Sequence, residues 1–230
     1  MTDSLGRDSR EPKAVMTLRT ILAVVGLLLV VTSAPADEPV GNPDDTKADA
    51  LGIIPESVSA AVAVRNASEL TRRGDKFIEQ TGMKVPLRAS DAFRWLTDFL
   101  GIRKGLDDDG AFALMVMSPD FKLTSLVLAV PVKDFDAMAG NLKIPRDQLM
   151  PGQVIDRNGM GGVNPMPYVR YVSVRGYHLL LGGDKKKVQE AASAPALNAS
   201  LPSDLERTLS EDDILLYARQ FGSDNLNQAV

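Results

Sequence analysis

Acidic runs pose the first chemical question in this sequence. Asp107-Asp108-Asp109-Gly110 is the densest, and Glu211-Asp212-Asp213 is the second. Two carboxylates held about 5–10 Å apart across a cleft can share the work of glycoside hydrolysis. The two runs therefore define one hypothesis, a metal-independent hydrolase that uses carboxylates. Calcium binding fits the first run poorly. A calcium loop needs oxygens at alternate positions over about a dozen residues and a closing Glu. These acids are consecutive, and Ala111 to Met117 is apolar. The simpler reading of both runs is solvated turn acids, the first leading into a strand.

Other chemistry-bearing residue types are few. The 230 residues hold one histidine, His178, and no cysteine. Disulfides, thiolate nucleophiles, iron–sulfur clusters and Cys-ligated zinc are excluded, as is any two-His or three-His metal site within the chain. An N-terminal lipidated Cys is excluded too. A Ser-His-Asp triad would have to use His178, which stands between Tyr177 and Leu179 in a strand pattern and reads as a packing or surface residue. Arg157-Asn158-Gly159-Met160-Gly161-Gly162 is Gly-rich, but a dinucleotide loop needs a further Gly three residues on and a helix after it. Asn164, Pro165 and Pro167 supply neither, and there is no Gly-Lys-Ser/Thr P-loop or Gly-x-Ser-x-Gly elbow.

Asp134 and Asp136 open a predicted helix, where negative charge caps amides and complements the dipole. Lys185-Lys186-Lys187 follow Asp184 at another helix start, the wrong end for the dipole. They read as a solvated face, with a partner contact as the alternative. Asn66-Ala67-Ser68 and Asn198-Ala199-Ser200 match the glycosylation sequon, which means little in a bacterial protein. No catalytic, cofactor-binding or metal-ligating residue is assigned, and no cofactor is expected.

Charge narrows the partners. Lys and Arg number 26 against 30 Asp and Glu, a formal charge of -4. Nothing there steers the chain toward nucleic acid or anionic lipid. Aromatics at 5% with a single Trp make a poor stacking platform.

The first residues read as an address. Ile21 to Val31 is uncharged and apolar, preceded by Arg7, Arg10, Lys13 and Arg19 and followed by Ala34-Pro35-Ala36. That order of basic, apolar and small residues is a secretory signal with cleavage after Ala36. A retained membrane anchor is the minor alternative. Eleven residues at 1.5 Å cover about half of the ~30 Å hydrocarbon core, and Pro35 stops a helix from continuing. Met16 offers a second start, which would make residues 1–15 an artefact. Removing residues 1–36 takes four basic and three acidic residues from 26 and 30, leaving 22 against 27 and a net charge of -5. Cysteine-free export points to bacteria rather than to small disulfide-stapled domains. No membrane span is expected after cleavage.

Residues 37–50 are polar, with Pro39 and Pro43, and read as a tether. A single α+β domain over 51–230 must then position everything else. Val58, Ala60, Val62 and Val64 alternate as the apolar face of a strand. Asn66 caps a helix carrying Leu70, Gly74, Phe77, Ile78 and Thr81, which Gly82 ends. A second helix bears Phe93, Leu96, Phe99 and Leu100, with Ser90 or Asp91 as its cap. Ala111 to Met117 and Leu123 to Val132 form a hairpin, and Asp134 opens a helix with Phe135, Met138, Ala139 and Leu142. Pro145 to Pro167 is a long loop, with a short strand at Gln153 to Asp156. Tyr168 to Arg175 and Tyr177 to Leu181 make a hairpin about Gly176. Asp184 caps a helix with Val188, Ala191 and Ala192 inward. Leu205 and Leu209 mark a short helix, Ile214 to Ala218 a strand, and Ser223 or Asp224 a last helical segment. The expected architecture is a mainly antiparallel sheet with helices packed on one face, built from strand–cap–helix units and hairpins. A domain incomplete at its C-terminal end is a further expectation, since the last unit stops at Val230.

Two stretches carry a resemblance: Leu51-Gly52-Ile53-Ile54-Pro55-Glu56 with Ala61 to Asn66, and Leu128 to Phe135 with its Pro131-Val132-Lys133-Asp134 strand end. The chain resembles exported bacterial proteins of unknown function over most of 51–230. The resemblance implies an envelope or secreted location and brings no catalytic residue with it. The expected function is an exported, non-catalytic protein with a binding or structural role in the bacterial envelope, periplasmic or secreted, whose partner is an unidentified envelope or extracellular protein. The alternatives are the carboxylate hydrolase and a fragment of a larger exported protein.

Overall fold

Several strands of this chain are apolar on both sides, which calls for cover from two directions. The computed structural model describes residues 50–85, 87–120, 122–157, 169–200 and 214–219. Residues 1–36, the tether to residue 49, the Leu205–Leu209 helix and the segment from Ser223 lie outside the described residues.

A short helix α1 (Ala50–Ile53) precedes β1 (Ala60–Val64). Two helices follow, α2 (Ala67–Thr81) and α3 (Ala89–Leu100). The hairpin β2 (Phe112–Val116) and β3 (Leu126–Pro131) leads into α4 (Phe135–Leu142). Then come β4 (Ile155–Asp156), β5 (Tyr171–Arg175), β6 (His178–Gly182), α5 (Lys185–Ser193) and β7 (Ile214–Ala218). The strands form one seven-stranded sheet in the order β4-β5-β6-β3-β2-β1-β7, every neighbouring pair antiparallel. The α+β class and the antiparallel sheet stand as read from the sequence.

Strand alternation sorts the core into two clusters. Leu180, Ala113, Met115, Val127 and Ala129 belong to one, with Leu51 and Ile54 beside α1 and Val188 and Ala191 of α5. Leu179, Leu181, Val130, Val172 and Val174 belong to the other, with Met138, Ala139 and Leu142 of α4. Helical cover therefore extends to a second face. That fits β6, whose residues are buried throughout.

The strand–cap–helix units at Asn66, Asp134 and Asp184 hold where the sequence placed them. Asn66 Oδ1 accepts from Glu69 N at 2.9 Å, Asp134 from Asp136 N and Ala137 N at 2.9 and 3.0 Å, and Asp184 from Lys186 N and Lys187 N at 2.8 and 3.1 Å. Gly82 ends α2 at φ +65° and Gly176 turns the β5–β6 hairpin at φ +54°.

Two local expectations change. Helix α3 has no capping side chain of its own. Asp75 of α2 does the work, accepting from Ala89 N at 2.7 Å and from the Ser90 hydroxyl. A carboxylate on the packed neighbour reaches the free amides, and Ser90 serves as its donor. In β1 the buried side is Ala61 and Ala63, in the cluster with Met115. Ala60, Val62 and Val64 take the half-exposed side. Small side chains sit where the layers close, and the larger valines look onto an open face.

Candidate functional site

The acidic run Asp107–Asp109 is a tied turn. Asp107 N donates to Pro131 O and Gly110 N to Asp107 O, both at 3.1 Å. Ser68, in the first turn of α2, donates its amide to Asp108 O at 2.9 Å and its hydroxyl to Asp109 Oδ1 at 2.5 Å. The run thus locks the entry of β2 to the start of α2, as a strand-entry turn does. Glu211–Asp213, the other half of the expected carboxylate pair, lies outside the described residues.

His178 opens β6, opposite Pro131 of β3 and Arg175 of β5. It is 2% exposed, and its Nε2–H donates to Ala111 O at 3.0 Å. Burial, the largest influence, pushes its pKa down to about 4. A neutral ring sealed against a backbone carbonyl packs the core; it faces neither a nucleophile nor solvent.

Asp136 holds Arg146 at 2.9 Å on the surface. Lys187 turns back to donate to Met117 O at 3.2 Å and to Glu190 at 3.1 Å, whereas Lys185 and Lys186 are exposed. Arg157 N donates to Arg170 O at 2.9 Å, and burial pushes its guanidinium pKa down; residues 158–168 of the Gly-rich loop lie outside the described residues. Asn66 of the first sequon is spent as a cap, and Asn198 sits in the short 3-10 turn Leu197–Ser200. Among the described residues no group of three His, Asp or Glu side chains could hold a metal ion, and no helix is long and apolar enough to cross a membrane.

Two concavities stand out among the described residues. One is a cleft of about 420 Å³ between α2 and α3, beside Asp108. Several of its charges are engaged within the wall, while Arg94 and Asp108 also line it. Arg72 is held by Glu69 at 2.5 Å, Arg103 by Asp98 at 3.1 Å, and Asp75 by the start of α3. The hydroxyls of Thr71 and Thr97 donate to backbone carbonyls of their own helices. The hydrogen bond from Arg72 dominates in drawing the Glu69 pKa down to about 2. Groups so committed bind each other before they bind a ligand.

The second is a groove of about 290 Å³ on the sheet itself, lined by Val62, Leu114, Val116, Leu216, Ala60 and Ala218 among others. This is the open side of β7, β1 and β2. Phe93 of α3 covers its far end, edge-on to Phe112 at 5.4 Å. No described helix fills the rest, and Leu216 is 63% exposed. The groove offers apolar contact and no reactive group. The sequence held one sign of it: Ala60 to Val64 and Ile214 to Ala218 are apolar at odd and even positions alike, one side more than a single core layer requires.

No protein-family model, curated protein or solved structure matches this chain.

Proposed function

We propose that this chain is an exported protein of the bacterial envelope that works by binding, without catalysis of its own, and that the open side of β7, β1 and β2 is its binding surface. One observation carries the binding reading: Leu216 stands 63% exposed in a groove walled by Val62, Leu114 and Val116. Contiguous exposed apolar surface is costly to a protein that works alone and marks an interaction site. Export rests on the basic–apolar–small order of residues 7–36.

Two measurements test it. Cells expressing the full chain are fractionated, and the product's intact mass is read. The expected product begins at Asp37 and is periplasmic or secreted; one still beginning at Met1 or Met16 in the cytosol overturns export. Tagged protein is then used to capture material from envelope extract, beside Leu216→Lys. A stoichiometric partner held by the wild type and lost by the variant is expected. Capture indifferent to Leu216 overturns the surface assignment.

A second reading, that further polypeptide of a larger exported protein covers the same groove, draws on the same open face of β7.

A further inference from the structure

Helix α2 outruns its partner. Asp75 meets the first turn of α3 through Ala89 N and the Ser90 hydroxyl, and α2 continues to Thr81, about 9 Å further at 1.5 Å per residue. The chain turns at Gly82 and re-enters helix at Ala89. No described residue from Asp75 to Arg88 is buried, yet Phe77, Ile78, Met83, Val85 and Leu87 stand in that stretch. Met83 is 47% exposed and Leu87 43%. A lone exposed hydrophobic residue is ordinary; a protruding turn that carries several, none of them buried, marks a contact. Trp95, the chain's only tryptophan and itself 47% exposed, stands on α3 about 9 Å along the axis from Ala89.

Charge at this tip runs against the rest of the molecule. Residues 76–88 hold Lys76, Lys84 and Arg88 against Glu79 alone, a net +2 in a chain of net -4. Glu79 meets Arg88 at 3.4 Å, with the side chains 62% and 61% exposed, a pair that water screens and a stronger anion can replace. Lys84 is exposed between Met83 and Val85. The charge of the whole chain gives no steering toward anionic lipid; this segment departs from it locally.

We propose that the α2–α3 tip docks on an anionic lipid bilayer. Met83 and Leu87 enter the boundary between headgroups and acyl chains, a depth of about 5–10 Å. Lys84 and Arg88 meet lipid phosphates, and Trp95 lies at headgroup level, where its amphipathic ring is favoured. A narrow protruding tip offers a rigid protein little area to bury, whereas a fluid bilayer closes around it. The contact lies on the membrane surface and spans nothing. It does not depend on the role of the sheet groove.

The absence of native cysteine lets one probe be placed at will. In the full chain, Met83→Cys carries an environment-sensitive fluorophore, and Met150→Cys, 54% exposed after α4, carries the same one as control. A readout on the tip is one that the apolar run Ile21–Val31 cannot produce. Vesicles of phosphatidylcholine with one-third phosphatidylglycerol are expected to brighten the probe at 83 and shift its emission to the blue, with no change at 150. Phosphatidylcholine alone should act far more weakly, and about 0.5 M salt should reverse the response. Lys84→Glu in the Met83→Cys protein is expected to weaken partition about tenfold, and Leu87→Asp to abolish it, both with an unchanged circular dichroism spectrum.

A probe at 83 that ignores the anionic vesicles overturns the proposal, as does an equal response at 150 or one that survives both substitutions. A response as strong on phosphatidylcholine alone overturns the choice of anionic lipid. A probe silent to vesicles but shielded by lipid-free envelope protein would make the occupant a protein and sink the bilayer.

Discussion

Glycine at 105 shows how one residue can hold two elements together. Its φ is +86°, and a Cβ there would lie 2.2 Å from Asp134 O and 2.8 Å from Met138 N. Its carbonyl accepts from Lys133 N and Asp134 N at 3.0 and 3.2 Å, seating the loop after α3 against the start of α4. Gly176 also has positive φ, at +54°, but nothing lies within 4 Å of its Cβ position. Gly105→Ala is therefore expected to destabilise the protein by at least about 2 kcal/mol, since strain and overlap add. Gly176→Asn should cost under about 1 kcal/mol, because Asn tolerates the left-handed region. Urea midpoints at constant slope would read both; equal losses would refute the contact argument. Gly176 is visible in the sequence as the turn of its hairpin. The backbone that Gly105 touches is not, since Asp134 and Met138 arrive from a later hairpin and helix.

At the scale of elements, helix ends separate local from borrowed stabilisation. Asn66, Asp134 and Asp184 cap their own helices, so position in sequence was enough to find them. Helix α3 borrows Asp75, fourteen residues before Ala89. Its expected local cap, Ser90, donates to that carboxylate instead of capping. Asp75→Ala is expected to cost about 1–2 kcal/mol and to loosen the first turn of α3 in amide exchange, whereas Ser90→Ala should cost less than half as much. A larger loss at Ser90 would restore the local cap. Helix α5 borrows at its other end, where Arg175 Nη1 donates to Ala191 O at 2.7 Å and Ala194 O at 2.9 Å. Burial pushes that guanidinium's pKa down, yet it stays cationic at a helix C-terminus, where positive charge is favoured. No spacing rule joins Arg175 to Ala194, because the β5–β6 hairpin brings them together.

For the molecule as a whole, acid resistance divides into two windows. His178 has its pKa pushed down to about 4 by burial, against 6.5 for a free ring. The unfolded chain binds the extra proton between these values, so His178 lowers stability as pH falls from about 6.5 toward 4 and contributes no slope above. The shift amounts to about 3 kcal/mol. Glu69, held near 2 by Arg72 and Arg73, acts later: the stability it lends is present above 4.5 and is lost as pH falls toward 2. Its exposure keeps that contribution small. Chemical unfolding between pH 6 and 5 should show a slope of about one proton that vanishes in His178→Gln. A slope unchanged in that variant would place the titrating group elsewhere.

Caps, hairpins and most strand positions could be read from residues in order, because those signals act over a few positions along the chain. The apolar groove could not. Alternation told which residues of β1 share a side, but only packing told which side closes. The alanines Ala61 and Ala63 went inward because α1 and Met115 approach closely there, leaving Val62 facing the groove beside Leu216. A strand apolar on both sides is ambiguous to any one-dimensional pattern. The layers that arrive from distant sequence resolve it, and with it which side of β1 stays open.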